Sequence, residues 1–324
     1  MPNPEFIRGG GVGWQTTHNT PAATIGWCPY WTALDLTYSP NANTPEYLDY
    51  SLWRESESDI ATYDGRVRIT GRLDPYWFGW LLISMAGTPT GTGPYVFLGG
   101  SLNAGELTFV KVNPQVSTYT RISNAVITQI QARLDPAQGT WEYTAEGRGK
   151  FEGGVTSVPT PTYGTSAPTL KPYQTVYTRG GTAYGLASGT FTWEKTANPA
   201  HRTPLVAATS TTPEGLQPSF YNIMKAAGGY DIMLDYTAYV GSAFEALVLG
   251  TEYAQTLSIF DPKTAGTPGI LIELPRSKGS GGEEDDTEAQ PRSHVTGRWL
   301  KDGTLASGVR ATLTPGAGNS YAAS

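Results

Sequence analysis

The stretch AVITQIQARL (Ala125–Leu134), the turn DPAQG (Asp135–Gly139) and TWEYTAEG (Thr140–Gly147) together decide the fold class. Val126, Thr128, Ile130, Ala132 and Leu134 point one way, and Gln129, Gln131 and Arg133 point the other. After the turn, Trp141, Tyr143 and Ala145 alternate with Glu142, Thr144 and Glu146. A two-residue period with one apolar and one polar face specifies an antiparallel hairpin that is buried on one side and wet on the other.

Upstream, Val67 and Ile69 alternate with Arg66, Arg68 and Thr70, which predicts another strand. A helix follows it. Asp74 can cap the free amides, Pro75 suits the first helical position, and Trp77, Trp80 and Leu81 recur at i, i+3 and i+4. Gly87 and Pro89 stop it, which gives a short amphipathic helix lying on a sheet.

The same order of elements runs again downstream. Phe191, Trp193 and Lys195 alternate with Thr192 and Glu194, and a second helix is expected near Leu216–Ala227, with Phe220, Ile223, Met224 and Ala227 on its stripe. Strands follow at Tyr230–Tyr239, Glu245–Leu249, Thr256–Phe260 and Ile270–Leu274, and a closing hairpin pairs His294–Leu300 with Gly308–Thr314. Long polar loops hold equivalent places in the two halves, at Asn113–Ser123 and Pro275–Pro291, the second containing Glu283, Glu284, Asp285 and Asp286. Residues 153–172, with Pro159, Pro161, Pro168 and Pro172, read as a stiff linker between an N-terminal unit, 1–152, and a C-terminal unit, 173–324. The first 60 residues interleave Trp14, Trp27, Trp31 and Trp53 with Pro, Thr and Asn, and these tryptophans are candidates for a self-association surface.

Composition excludes several functions. The 324 residues carry a net charge of −6, which argues against a surface built to grip nucleic acid. Cys28 is the only cysteine, so no internal disulfide and no Cys-based metal cage can form. Met1–Trp14 lacks the apolar core of a secretory signal, and the apolar stretch Trp77–Ala86 is too short to span a bilayer, so a soluble protein of a reducing cytoplasm is expected. His18, His201 and His294 show no metal-ligand spacing, and Gly9–Gly13 is not followed by Gly-Lys-Ser/Thr. Glu55, Glu57 and Asp59, or Asp231 and Asp235, are the carboxylate groupings a glycan-cleaving enzyme would need, but nothing in the sequence makes them converge. The acidic run 283–286 lacks the interleaved calcium-loop pattern. No enzyme and no cofactor is expected.

The chain resembles the major tail tube proteins of long-tailed bacteriophages. The resemblance is carried by Val67-Arg68-Ile69-Thr70-Gly71 with the helix Asp74–Ala86, by Asn124–Lys150 with its terminal Gly147-Arg148-Gly149-Lys150, by Gly269–Pro275, and by Val309–Thr314. It covers residues 64–152 and 180–316. It implies a mainly β fold of two tandem β-barrel or β-sandwich units, each with a short flanking α-helix. Such proteins form rings that stack into the virion tail tube, through which DNA passes without tight binding. A chain with two units would form a trimeric ring of pseudo-sixfold symmetry, made in the host bacterial cytoplasm, with the tape measure and tail terminator as further partners and no membrane. Asn113, Ser123, Pro275, Glu283, Glu284, Asp285, Asp286 and Pro291 are candidates for ring stacking, and Gln129, Gln131, Glu142 and Glu146 for the lumen wall, whose acidic balance would let DNA slide. The competing expectation is another virion or surface β-protein: a decoration, adhesin or glycan-binding module.

Overall fold

A computed structural model of the chain describes residues 9–18, 20–43, 59–99, 105–113, 118–135, 139–156, 169–200, 220–235, 252–260, 269–285, 292–303, 307–316 and 319–321. The protein is mainly β, with one α-helix among the described residues. Its N-terminal strands are β1 (Gly10–Gln15), β2 (Gly26–Trp27), β3 (Trp31–Asn43) and β4 (Asp59–Arg72). The helix α1 (Pro75–Ala86) comes next, before β5 (Tyr95–Leu98), β6 (Glu106–Asn113), β7 (Thr118–Asp135) and β8 (Thr140–Val155). Beyond a 3₁₀ turn at Pro172–Gln174 lie β9 (Thr175–Arg179), β10 (Thr182–Tyr184), β11 (Leu186–Ala200) and β12 (Phe220–Leu234). The chain closes with β13 (Glu252–Phe260), β14 (Gly269–Asp285), β15 (Arg292–Trp299) and β16 (Arg310–Thr314).

All these strands join one antiparallel sheet. From the first half, β3 pairs with β4, β4 with β8 and β8 with β7; β7 then pairs with β11, and the sheet continues through β12, β15, β14, β13 and β9 to β10. The β7–β8 hairpin follows the sequence reading, with Leu134 opposite Trp141 and a turn closed by Gly139 at φ 62°. Trp141, Tyr143 and Ala145 are buried, as are Val67 and Ile69 on β4. One apolar cluster spans both halves, from Val12 to Leu313 and Tyr321.

Helix α1 has the expected ends. The Asp74 carboxylate accepts from the Tyr76 and Trp77 amides at 3.0 and 3.1 Å, and Gly87, at φ 82°, donates back to the Ile83 carbonyl. Its setting differs from a helix lying on a sheet: Trp77, Phe78, Gly79, Leu81, Leu82, Ile83, Ser84 and Met85 are all buried. The run WFGWLLI is apolar around its whole circumference, so the helix sits inside the core. The Ser84 hydroxyl accepts the Ile127 amide at 2.8 Å, where β7 bulges and the ladder leaves that donor to the helix.

Five expectations are corrected. The second helix does not form in residues 220–227, which belong to β12 and pair with β11 from Ala200↔Phe220 to Leu186↔Leu234; residues 216–219 lie outside the described residues. A helix there would leave the Glu194–Ala200 edge of β11 unpaired, so the tertiary ladder overrides a local i, i+3, i+4 pattern. Gly228 of β12 clears space for the Trp299 ring, which a Cβ at that position would overlap. The closing hairpin is β14 with β15, because β15 and β16 both pair with β14 and not with each other.

The polar loop expected at 275–291 is strand as far as Asp285. Pro275 falls where β14 carries an extra residue opposite the Tyr253/Gln255 step, so its missing amide costs no ladder bond, and Ser280 is the extra residue of a second bulge against β15. Asn113 ends β6, but Ser123 is a buried residue of β7 whose hydroxyl donates to Glu152 at 3.3 Å, so residues 118–123 of the expected first loop are strand and 114–117 lie outside the described residues. Trp27 is buried, and Trp14 and Trp31 pack against the core, so they form no association surface; Trp53 lies outside the described residues. Among the described residues the exposed large apolar side chains are instead Tyr38, Leu98, Tyr173 and Val176.

Candidate functional site: the polar face of the sheet

Strand alternation puts every second residue of β4, β8, β7 and β11 on the face opposite the core, and β-pairing sets these residues in rows. One row runs Asp35, Arg68, Glu146, Gln129, Glu194 across β3, β4, β8, β7 and β11. A second runs Thr70, Thr144, Gln131, Thr192, Gly229, Arg298 and Lys278, reaching β12, β15 and β14. A third holds Arg72, Glu142, Arg133, Thr190, Asp231 and Thr296. The four residues proposed for a lumen wall, Gln129, Gln131, Glu142 and Glu146, therefore share one face.

Neighbours in these rows bond to each other. Gln129 Nε2 donates to Glu194 Oε1 at 2.8 Å, joining the two halves, and Arg68 lies 3.6 Å from Glu146. At the margin, Lys111 of β6 reaches Asp35 of β3 at 3.5 Å. Over the second half the face forms a shallow groove of about 570 Å³, lined by Gln131, Thr192, Glu194, Asp231, Thr296 and Arg298 and floored by Gly228, Gly229 and Gly297. The face is not acidic. Arg66, Arg68, Arg72, Arg133 and Arg298 alternate with Glu142, Glu146, Glu194 and Asp231, all but Glu142 exposed.

The sequence missed Glu194, Asp231 and Arg298 as members of this face. Their alternation was visible, but which strands pair was not, and only pairing sets Gln129 beside Glu194. The stacking candidates Glu283, Glu284 and Asp285 lie on β14, level with His294, Ser293 and Arg292 of β15; Asp286 and Pro291 lie outside the described residues.

Groups with catalytic chemistry are otherwise engaged. Cys28 is buried, and burial followed by the charge of Asp74 pushes its thiol far up, so no thiolate forms. Burial likewise raises Asp74 to about 7 against the two amides that hold it down. Asp231 bonds to His294, Asp235 lies beyond the end of β12 against Gly185, and the side chains of Glu55, Glu57 and Asp59 are outside the described set. Among the described residues no three His, Cys, Asp or Glu side chains converge as metal ligands. His18 bonds to Glu106 at 2.8 Å beside a second groove, of about 590 Å³, lined by Trp14, Thr16, Thr88, Val96 and Leu98; His201 is outside the described residues. No described helix is long and apolar enough to cross a membrane. No family model matches the chain, and no curated protein matches it in sequence.

Proposed function

We propose that the chain is a structural, non-catalytic subunit that joins copies of itself into stacked rings, forming the hollow tail tube of a long-tailed phage through which DNA passes. The observation that carries this reading is the broad polar face running unbroken across both halves, with cations and anions interleaved along its rows. Each phosphate neutralised by an unopposed Lys or Arg adds to affinity and salt dependence. A wall in which every arginine has a carboxylate within a row or two presents little net attraction, so a polyanion slides past it. Interleaving serves this purpose better than the acidic excess expected from composition, because it limits repulsion as well as adhesion.

The sheet has open edges at β2, β3, β5 and β10, and a head-to-tail ring gives such edges as β3 and β10 a neighbour. The proposed ring is a trimer with pseudo-sixfold symmetry, with the hairpin ends at Asn113 and Asp285 as ring-to-ring connectors and the tape measure and terminator proteins at the tube ends. Negative-stain electron microscopy across a concentration series tests the reading. Hollow tubes with a regular axial repeat support it, and their end views separate a trimer from a hexamer. Uniform small particles at every concentration, together with sugar affinity at the groove beside Trp14, support a glycan-binding module instead.

A further inference from the structure

We propose that His294 is a proton-operated latch that fastens the acidic arm of the β14–β15 hairpin to β12. Its imidazole stands between two carboxylates on neighbouring strands: Nε2 is 2.6 Å from Asp231 Oδ1 on β12, and Nδ1 is 3.3 Å from Glu283 Oε1 on β14. A neutral imidazole carries one N–H and can donate to one of these acceptors only; the imidazolium donates to both. The doubly bonded arrangement is therefore that of protonated His294. On loss of the proton one ring nitrogen turns a lone pair toward a carboxylate, and the longer bond, to the more exposed Glu283, is the one that gives way.

The arm depends on this contact. Its β14 side reads KGSGGEED (Lys278–Asp285), with a bulge at Ser280 and glycines that offer no side chains to pack, so beyond its backbone ladder to β15 few side-chain contacts hold it. The charged groups around His294 are Asp231 on β12, Glu283 on β14, and Arg292 and Arg298 on its own strand and face, with Met233 directly opposite. Partial burial alone would lower the proton affinity of His294, but the hydrogen bonds and charges of Asp231 and then Glu283 outweigh it, and the balance lies above the usual histidine range. Stabilisation by a group shifted upward is complete below the ordinary histidine pKa and is lost as pH rises through the shifted value. The arm is thus closed in acid and loosens toward alkaline pH. This follows from the geometry of the single chain and does not depend on what the chain assembles into.

The test is amide hydrogen exchange of Gly281–Glu284 and Ser293–Thr296 in the full chain, from pH 5.5 to 8.5, corrected for intrinsic exchange, with the His294 titration followed by NMR. Protection is expected to fall about two- to fivefold, the range for an exposed ion pair, with a midpoint that tracks His294. H294Q should expose the arm equally at every pH, and E283Q should do the same while the His294–Asp231 contact persists. Flat protection in the wild type, or an unchanged pH dependence in H294Q, overturns the proposal.

Discussion

Replacing Gly79 by alanine sets a general rule of helix stability against one local contact. In an exposed helix interior, Gly→Ala stabilises by about 1 kcal/mol. Gly79, however, faces Tyr321, and a Cβ built there would fall inside the Tyr321 hydroxyl and ring. Tyr321 is 6% exposed, donates to the Pro75 carbonyl at 2.5 Å, and packs edge-on to Tyr95 and Phe97 at centroid distances of 4.8 and 5.7 Å. The ring is rigid and enclosed by Tyr76, Trp80, Tyr95 and Phe97, so it cannot shift aside and must leave. Losing a buried aromatic costs about 3–5 kcal/mol, of which the lower end is taken for Tyr321. The net expectation for G79A is destabilisation by about 2 kcal/mol, or a fall in Tm of about 3 °C for a chain of this size. The decisive arm is the double mutant. With Tyr321→Ala already present, Gly79→Ala should recover the ordinary helix gain of about 1 kcal/mol, a coupling of about 3 kcal/mol measured by thermal or urea unfolding of the four variants. A Gly79→Ala change that stabilises the wild type, or costs the same in both backgrounds, would refute the reasoning.

Asp74 is fully buried and its folded pKa, about 7, lies above the ordinary value of 3.8, so the folded state holds the proton more tightly and stability should fall as pH rises from about 4 to 7. Asp74→Asn keeps an oxygen for the Tyr76 and Trp77 amides; urea unfolding between pH 4 and 8 should show that decline flattened, and an undiminished slope would assign it elsewhere. Gln131→Lys and Glu146→Lys together add a cation opposite threonines and replace the carboxylate beside Arg68, shifting the polar face toward positive charge. They should leave stability within about 0.5 kcal/mol per site while steepening the dependence of DNA binding on log salt by about 0.9 per phosphate newly contacted, read by fluorescence anisotropy. The isolated fragment 1–172 should not fold cooperatively, because it loses the strands that pair with β7 and β5 and the Tyr321 that fills the aromatic socket; a sharp unfolding transition with native-like amide protection would contradict this.

What was legible in the sequence was whatever a local period settles by itself. Trp141, Tyr143 and Ala145 turn inward because a strand alternates, and Asp74-Pro75 begins a helix because a carboxylate and a ring without an amide hydrogen suit its first turn. The misread segments are those whose state is set by a distant partner. Phe220–Ala227 supports a helical stripe or a strand equally well until β11 is beside it. KGSGGEED is loop-like in composition, yet β15 supplies a ladder and bulges absorb its surplus residue. His294 gave no sign of its surroundings, because Asp231 and Glu283 lie 63 and 11 residues away and meet it only across the sheet. The polar face was half visible: its members could be picked out strand by strand, but their order across the sheet could not.

That order also bears on how the proposed ring would be built. Residues 153–172 carry the composition of a linker, yet four separate contacts pass across them. β7 pairs with β11, the Trp141 indole donates to Thr175 at 2.8 Å, β16 pairs with β5, and Tyr321 fills the socket formed by α1 and β5. They lie at different places on the first half, so a hinge at the linker would have to break all of them together. The C-terminal half also completes the first: Tyr95 and Phe97 are buried partly by Tyr321, which the chain reaches only after passing through every strand of the second half. Two copies of a unit joined by a tether could rotate to fit a ring, each making the same contacts. A chain tied in this way offers a neighbour one rigid polar face and unlike edges, at β2, β3, β5 and β10. Any sixfold character of a ring built from it would then be a property of shape, with two unlike kinds of junction around the circumference, one inside each chain and one between chains.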